Sequence, residues 1–269
     1  EIYTLSLHDA LPIYYRIMLL GIGFLLAITG NVNITDIVSL VDGGLVDATS
    51  PVFLLSLALI FFGWLYASGL PPFHTIKSGI YSKAEPHGAA LLQSFTVVSM
   101  ISIGLILFRI YHSLPIFEVL VLFFSIFAMI LGVSLALTQT DFRRMIGFLA
   151  VGELGFIGLG FGLGTQLSIT AGLFQALNEL IFTALLFIGF GAIVHATNEI
   201  DTRKIGGLFA FHPKIGIMLL IGGLAMAGVP PLSGFQSKLM IVQAILNAGY
   251  PELAILAIMV SIATFVVFR

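Results

Sequence analysis

Long apolar runs separated by short polar stretches dominate the chain. Eight such runs stand at 14–30, 51–70, 87–111, 115–138, 144–164, 167–195, 214–246 and 251–269. Most reach the ~20 residues that a helix needs to cross ~30 Å of hydrocarbon. Lipid-facing strands would alternate apolar and polar positions, and these runs do not. The pattern predicts an all-α polytopic transmembrane bundle of about eight helices over residues 14–269.

Two runs are interrupted, one by Gly69-Leu70-Pro71-Pro72 and one by Gly228-Val229-Pro230-Pro231. Proline removes a helix hydrogen bond and glycine loosens the turn. In lipid the freed carbonyls need partners, so such a break survives inside protein or beside a wet cavity. A proline that merely ends a helix at the interface is the other reading. Each break falls in the next-to-last span of its unit. Residues 14–111 form the end of a first repeat and 115–269 a second, truncated one. Repeats with broken helices are the pattern of ion-coupled transporters.

Charge orients the predicted spans. If they alternate, one side receives Arg16, Lys77, Lys83, Arg143, Arg144, Arg203, Lys204, Lys214 and Arg269, nine of the 11 Lys and Arg. The other side receives only Arg109, together with Asp36, Asp42 and Asp47. Positive residues favour the cytoplasm, which places the rich side there; the expected location is a prokaryotic plasma membrane, crossed several times.

The composition excludes whole classes. Of 269 residues, 59% are hydrophobic and 9% charged, against about 25% charged in a soluble domain. A secreted domain, a cytosolic enzyme and a disordered chain are all excluded. A net charge of −2 offers nucleic acid no basic surface. With no cysteine there is no thiolate metal site and no cysteine-bound cluster. The six His are scattered, and no P-loop is present. The chain is therefore expected to carry no cofactor, no metal and no catalytic residue of its own, with redox chemistry done elsewhere. It begins at Glu1, and its last apolar run stops at Arg269, so it reads as a piece of a longer protein. Residues 1–13 (EIYTLSLHDALPI) differ in texture, resemble a translated adapter sequence and are expected to be a non-native tail.

Three ionisable side chains fall well inside spans: Glu153, Glu179 and Lys238. A charge at the bilayer centre costs about 2.5–3.5 kcal/mol on insertion scales, so such groups face the bundle interior and mark ion pathways. Lys238 lies seven residues beyond Pro231, just past the second break. A buried lysine beside a movable partner can load and unload a proton; the bland alternatives are snorkelling to the interface or a charge locked to Glu179. Gln175, Asn178, Glu179 and Thr183 form one polar stripe on an otherwise apolar helix. Glu153 sits among Gly152, Gly155, Gly158 and Gly162, which read as a small-residue packing face. Gln93, Thr96, Ser99 and Ser102 form a second stripe, able to line water or to bond their own backbone. His195, with His74 and His87, lies near a span end and is a candidate for proton uptake, while Lys77, Lys83 and Glu85 are expected to be solvated or paired at the cytoplasmic mouth.

Four stretches together carry a family resemblance: PPFHTIKSGIYSKAEPHGAALLQ, DFRRMIGFLAVGELGFIGLGFGLG, LFQALNELIFTALLFIGFGAIVHATNEIDTRKIGGL and LAMAGVPPLSGFQSKLMIVQAIL. Residues 14–269 resemble the antiporter-like subunits shared by respiratory complex I, Mrp sodium/proton antiporters and membrane-bound energy-converting hydrogenases, and a divergent methanogen-type hydrogenase subunit is the expected kind. The resemblance implies two inverted five-helix repeats, each with one broken helix and a half-channel, and a charged axis driven by a distant redox module. It implies that the lysine beyond the second break is Lys238. The chain departs from the family where a lysine is common before the first break, at Ala67, and in the next helix, at Ser102. A common histidine falls at Glu179 and a common lysine at Thr183. The first half-channel therefore looks depleted. The expected function is movement of protons or sodium ions in a multi-subunit redox-driven complex, with lipid and other membrane subunits as partners. A non-conducting scaffold subunit of the membrane arm is the alternative, and a stand-alone solute carrier a weaker third.

Overall fold

The computed structural model describes residues 7–205 and 207–268. Helices α1 (Leu7–Thr29) and α2 (Ile34–Asp42) are followed by α3 (Pro51–Ser68), α4 (His74–Lys83), α5 (Pro86–Tyr111) and α6 (Pro115–Ala136). Then come α7 (Phe142–Gly162), α8 (Gln166–Thr197), the four-residue α9 (Leu208–Phe211), α10 (Pro213–Ala227), α11 (Ser233–Asn247) and α12 (Pro251–Val267). Helices α3, α5, α6, α7 and α8 are long and apolar enough to cross a bilayer, while α10 and α12 are shorter apolar helices. The ends follow local chemistry. Proline opens α3, α5, α6, α10 and α12, where a missing N–H loses nothing. Thr165 and Ser168 form a capping box that starts α8.

Every predicted span contains helix, and the broken run 214–246 is α10 followed by α11. Three helices were not expected, and one of them, α9, is a single turn between two predicted runs. Helix α2 lies in the acidic loop and buries only Ile37 and Val41, so it carries no long apolar run. Helix α4 lies where 71–86 reads as a loop, and its sequence HTIKSGIYSK is too polar to register as a span. The expected tail 1–13 falls partly outside the described residues; helix α1 begins at Leu7.

Both breaks share one construction. Gly69 ends α3 at φ +69° and Gly228 ends α10 at φ +76°, the left-handed region that glycine enters without a Cβ penalty. A cis Pro–Pro bond follows each, and a second helix then resumes.

Helix α7 is the centre of the bundle, buried from Met145 to Gly162. Its glycines let α6 approach closely. A Cβ on Gly155 would stand 2.6 Å from the Ser125 carbonyl, and one on Gly158 would clash with the Ser125 hydroxyl. This is the small-residue face read from the sequence. Two apolar clusters flank α7 and draw on its opposite faces. One surrounds Trp64 on α3, and the other gathers Phe187, Ile241 and Ala257. Outward-facing Leu19, Phe95, Phe123, Ile181 and Ile262 remain exposed, as a lipid-facing surface requires.

One end of the bundle is tied together by its loops. Asp141 and Asp201 form an isolated antiparallel bridge, and the Thr202 N–H donates to the Thr140 carbonyl at 3.0 Å. Charge alone places these two loops on one side. Lys77 does not belong with them: it is only 5% exposed and lies inside the protein. Its placement at a solvated mouth is corrected, because α4 turns its stem inward over Gly69.

Candidate ion-relay site

Helices α7, α8 and α11 bring their polar residues together beside the second break. The Lys238 ammonium donates to Glu153 Oε1 at 2.7 Å and to the Met226 carbonyl at 2.6 Å. That carbonyl is near the end of α10, where the break removes intrahelical donors. The ammonium also lies 4.6 Å from the centre of the Phe156 ring. Gln175 Nε2 donates to Glu153 Oε2 at 2.6 Å, so both carboxylate oxygens are engaged. The network continues outward. The Ser237 hydroxyl donates to Gln175 Oε1 at 2.5 Å, and Asn178 Nδ2 donates to the same hydroxyl oxygen at 2.9 Å. Asn178 Nδ2 also reaches the Ser233 carbonyl at 3.2 Å. All these side chains are buried. A buried ion pair holds when further hydrogen bonds satisfy both partners, and that condition is met here.

A second group lies one helical turn along α8. Glu179 Oε1 accepts from Gln93 Nε2 at 2.7 Å and from the Thr183 hydroxyl at 2.7 Å. Gln93 Oε1 in turn accepts from the Tyr81 hydroxyl at 2.7 Å. Glu179 Oε2 is buried and has no hydrogen-bond partner among the described residues. The two groups meet on α8, where Gln175 belongs to the first and Glu179 to the second.

The expected residues divide accordingly. Lys238, Glu153, Gln175 and Asn178 share one network, with Glu179 next to it. The carboxylate that holds Lys238 is Glu153 rather than Glu179, because α7 rather than α8 presents its acid to the ammonium. His195 joins neither group. It is exposed in the last turn of α8, 16 residues and about 24 Å along the helix from Glu179. The second polar stripe also divides: Gln93 is buried in the network, Thr96 bonds the Leu92 carbonyl of its own helix at 2.8 Å, and Ser102 is exposed. His87 is exposed and pairs with Glu85 at 3.1 Å. Tyr81, Ser237 and Lys77 were not anticipated. The spacing carried a signal for Lys77, which follows its break glycine by eight residues as Lys238 follows Gly228 by ten.

Paired broken helices around a buried lysine–glutamate axis define an antiporter-like membrane subunit. Residues 15–266 match the family described as NADH:quinone oxidoreductase/Mrp antiporter, transmembrane, and the chain belongs to that family. It is 38% identical to an uncharacterised protein of Methanocaldococcus jannaschii over 93% of this chain and 51% of that one. It is 29% identical to a Na(+)/H(+) antiporter subunit of Alkalihalophilus pseudofirmus over 87% of this chain and 48% of that one. Among solved structures, the Mrp complex from a Dietzia species contains a chain that superimposes with TM-score 0.87 at 26% identity, covering 95% of this chain and 47% of that one. The archaeal membrane-bound sulfane sulfur reductase gives the same TM-score and identity, covering 96% of this chain and 53% of that one. The chain spans about half the length of the curated relatives it matches.

Proposed function

We propose that this chain is the ion-translocating part of a membrane subunit in a multi-subunit, redox-driven complex of a prokaryotic plasma membrane. The reading is carried by one observation: the Lys238–Glu153 pair is buried at a helix break and continued by Gln175, Ser237 and Asn178. An ammonium that donates 2.7 Å to a carboxylate can pass its proton across that hydrogen bond, leaving a neutral amine and a carboxylic acid. The break keeps the Met226 carbonyl available to hold the amine, whereas an unbroken helix would consume that acceptor. Protons, or sodium ions in their place, would enter from the cytoplasmic side near the exposed His195 or Lys204 and pass Glu179 and the pair. They would leave through the opposite half. The energy for movement would come from redox partners, because this chain is expected to hold no cofactor. Its neighbours in the membrane would be lipid and the other subunits of the complex.

Replacing Lys238 with Ala in the assembled complex tests the proposal. Redox-driven ion uptake into sealed vesicles should be abolished while the complex still assembles. Unchanged uptake would refute it.

A further inference from the structure

We infer that Lys77 is a second ion-carrying amine, serving the first repeat as Lys238 serves the second, and that Tyr81 and Gln93 link it to Glu179. This rests on the translocation proposed above.

The two lysines are held by the same geometry. Each is 5% exposed. Each stands on the helix that resumes after a break, and each folds back across its glycine. The Lys238 ammonium reaches the Met226 carbonyl, two residues before Gly228, and the Lys77 ammonium reaches the Ser68 carbonyl, one residue before Gly69, at 3.4 Å. A Cβ added to Gly69 would stand 2.6 Å from Lys77 Cδ, and one added to Gly228 would stand 3.1 Å from Lys238 Cδ. The absent side chain at each glycine is the space that the lysine stem occupies.

Their surroundings differ in a way that suits transport. Lys238 has a carboxylate at 2.7 Å. Lys77 has none within ion-pair distance among the described residues, and its single hydrogen bond is long. A buried charge so poorly matched is costly unless it is hydrated or discharged. It borders a cavity of about 220 Å³ lined also by Ala67, Gly69, Tyr81, Thr96 and Ser99. That volume has room for several water molecules. The same cavity touches Tyr15, Leu92 and Phe95, which are exposed on the outward face of the bundle, so it opens at that face. Inward, the Tyr81 ring centre lies 5.8 Å from the ammonium, and the Tyr81 hydroxyl leads through Gln93 to Glu179. The path ends at Glu179 Oε1, which accepts from Gln93, while Glu179 Oε2 is buried without a hydrogen-bond partner among the described residues.

The test uses the complete complex in sealed membrane vesicles, with redox-driven ion uptake as the readout and co-purification of the other subunits as the measure of assembly. Lys77→Met should lower uptake roughly tenfold or more while assembly persists. Lys77→Arg should do the same, because a guanidinium keeps its charge but never releases its proton. Adding Ala67→Lys to Lys77→Met returns an amine to the same cavity from the other side of the break and should restore part of the uptake, which a purely structural role would not predict. Normal uptake in either single variant overturns the inference. So does failure of both to assemble, which would make Lys77 a structural residue. Lys238→Ala is measured alongside. If it too leaves uptake intact, the translocation reading itself fails; if it alone abolishes uptake, only the role of Lys77 is lost.

Discussion

Lys238 and Glu153 lie 85 residues apart in the chain and meet in an ion pair of 2.7 Å, with side chains only 6% and 2% exposed. No other Lys or Arg among the described residues forms an ion pair so deeply buried. It joins α7, which is buried between α6 and α8, to α11, the helix that follows the second break. Stability and the proposed transport therefore meet at one contact, and mutation should separate them.

Glu153→Leu alone strands a buried ammonium, and Lys238→Met alone strands a carboxylate. Each should cost about 3–5 kcal/mol, whereas the double substitution should recover most of that loss, because removing both charges leaves nothing unpaired. Ion uptake should stay absent in all three. Thermal unfolding of the purified complex, set beside vesicle uptake, checks this. Losses that simply add in the double variant would contradict it.

The two break glycines should be unequal in a predictable order. Alanine at either position meets a positive φ and should destabilise by about 1 kcal/mol or more. Gly69→Ala should be the worse, since its Cβ would stand 2.6 Å from the Lys77 stem against 3.1 Å from that of Lys238 for Gly228→Ala. Melting temperatures of the two variants decide it; a larger drop for Gly228→Ala would reverse the argument.

The loop tie at the charged end should survive well into acid. Hydrogen bonds from the Arg203 side chain, and then from its backbone N–H, pull the Asp201 carboxyl down to about 2 from its ordinary 3.8. Because the folded value is the lower one, the contribution is complete above 3.8 and disappears as pH falls through about 2. Amide exchange at Thr202, which donates to Thr140, should report the tie. Once intrinsic exchange is corrected for, its protection should be flat from neutral pH to about 4 and lost below that. A loss already between about pH 7 and 5 would point to another group.

Much of this protein was legible in its sequence. Lipid is a solvent that acts on each segment by itself, so runs of apolar residues located the spans. Proline and glycine act on their own backbone, so Gly69-Pro71-Pro72 and Gly228-Pro230-Pro231 located the breaks. The penalty on intramembrane charge singled out Glu153, Glu179 and Lys238. Helical spacing even grouped Gln175, Asn178 and Glu179 correctly on one face of α8.

Partnership was not legible in the same way. Which carboxylate meets Lys238 depends on the rotation and depth of α7, α8 and α11 against one another, and hydropathy carries no record of either. Lys77 escaped for a related reason. A lysine in a polar stretch after a proline pair looks solvated in one dimension, and only the return of α4 over Gly69 buries it. The sequence, through local and one-body physics, decided that there would be membrane helices, two breaks and a few costly charges. Tertiary packing decided which of those charges touch, because hydrogen bonds of 2.6–2.7 Å depend on the register between helices far apart in the chain.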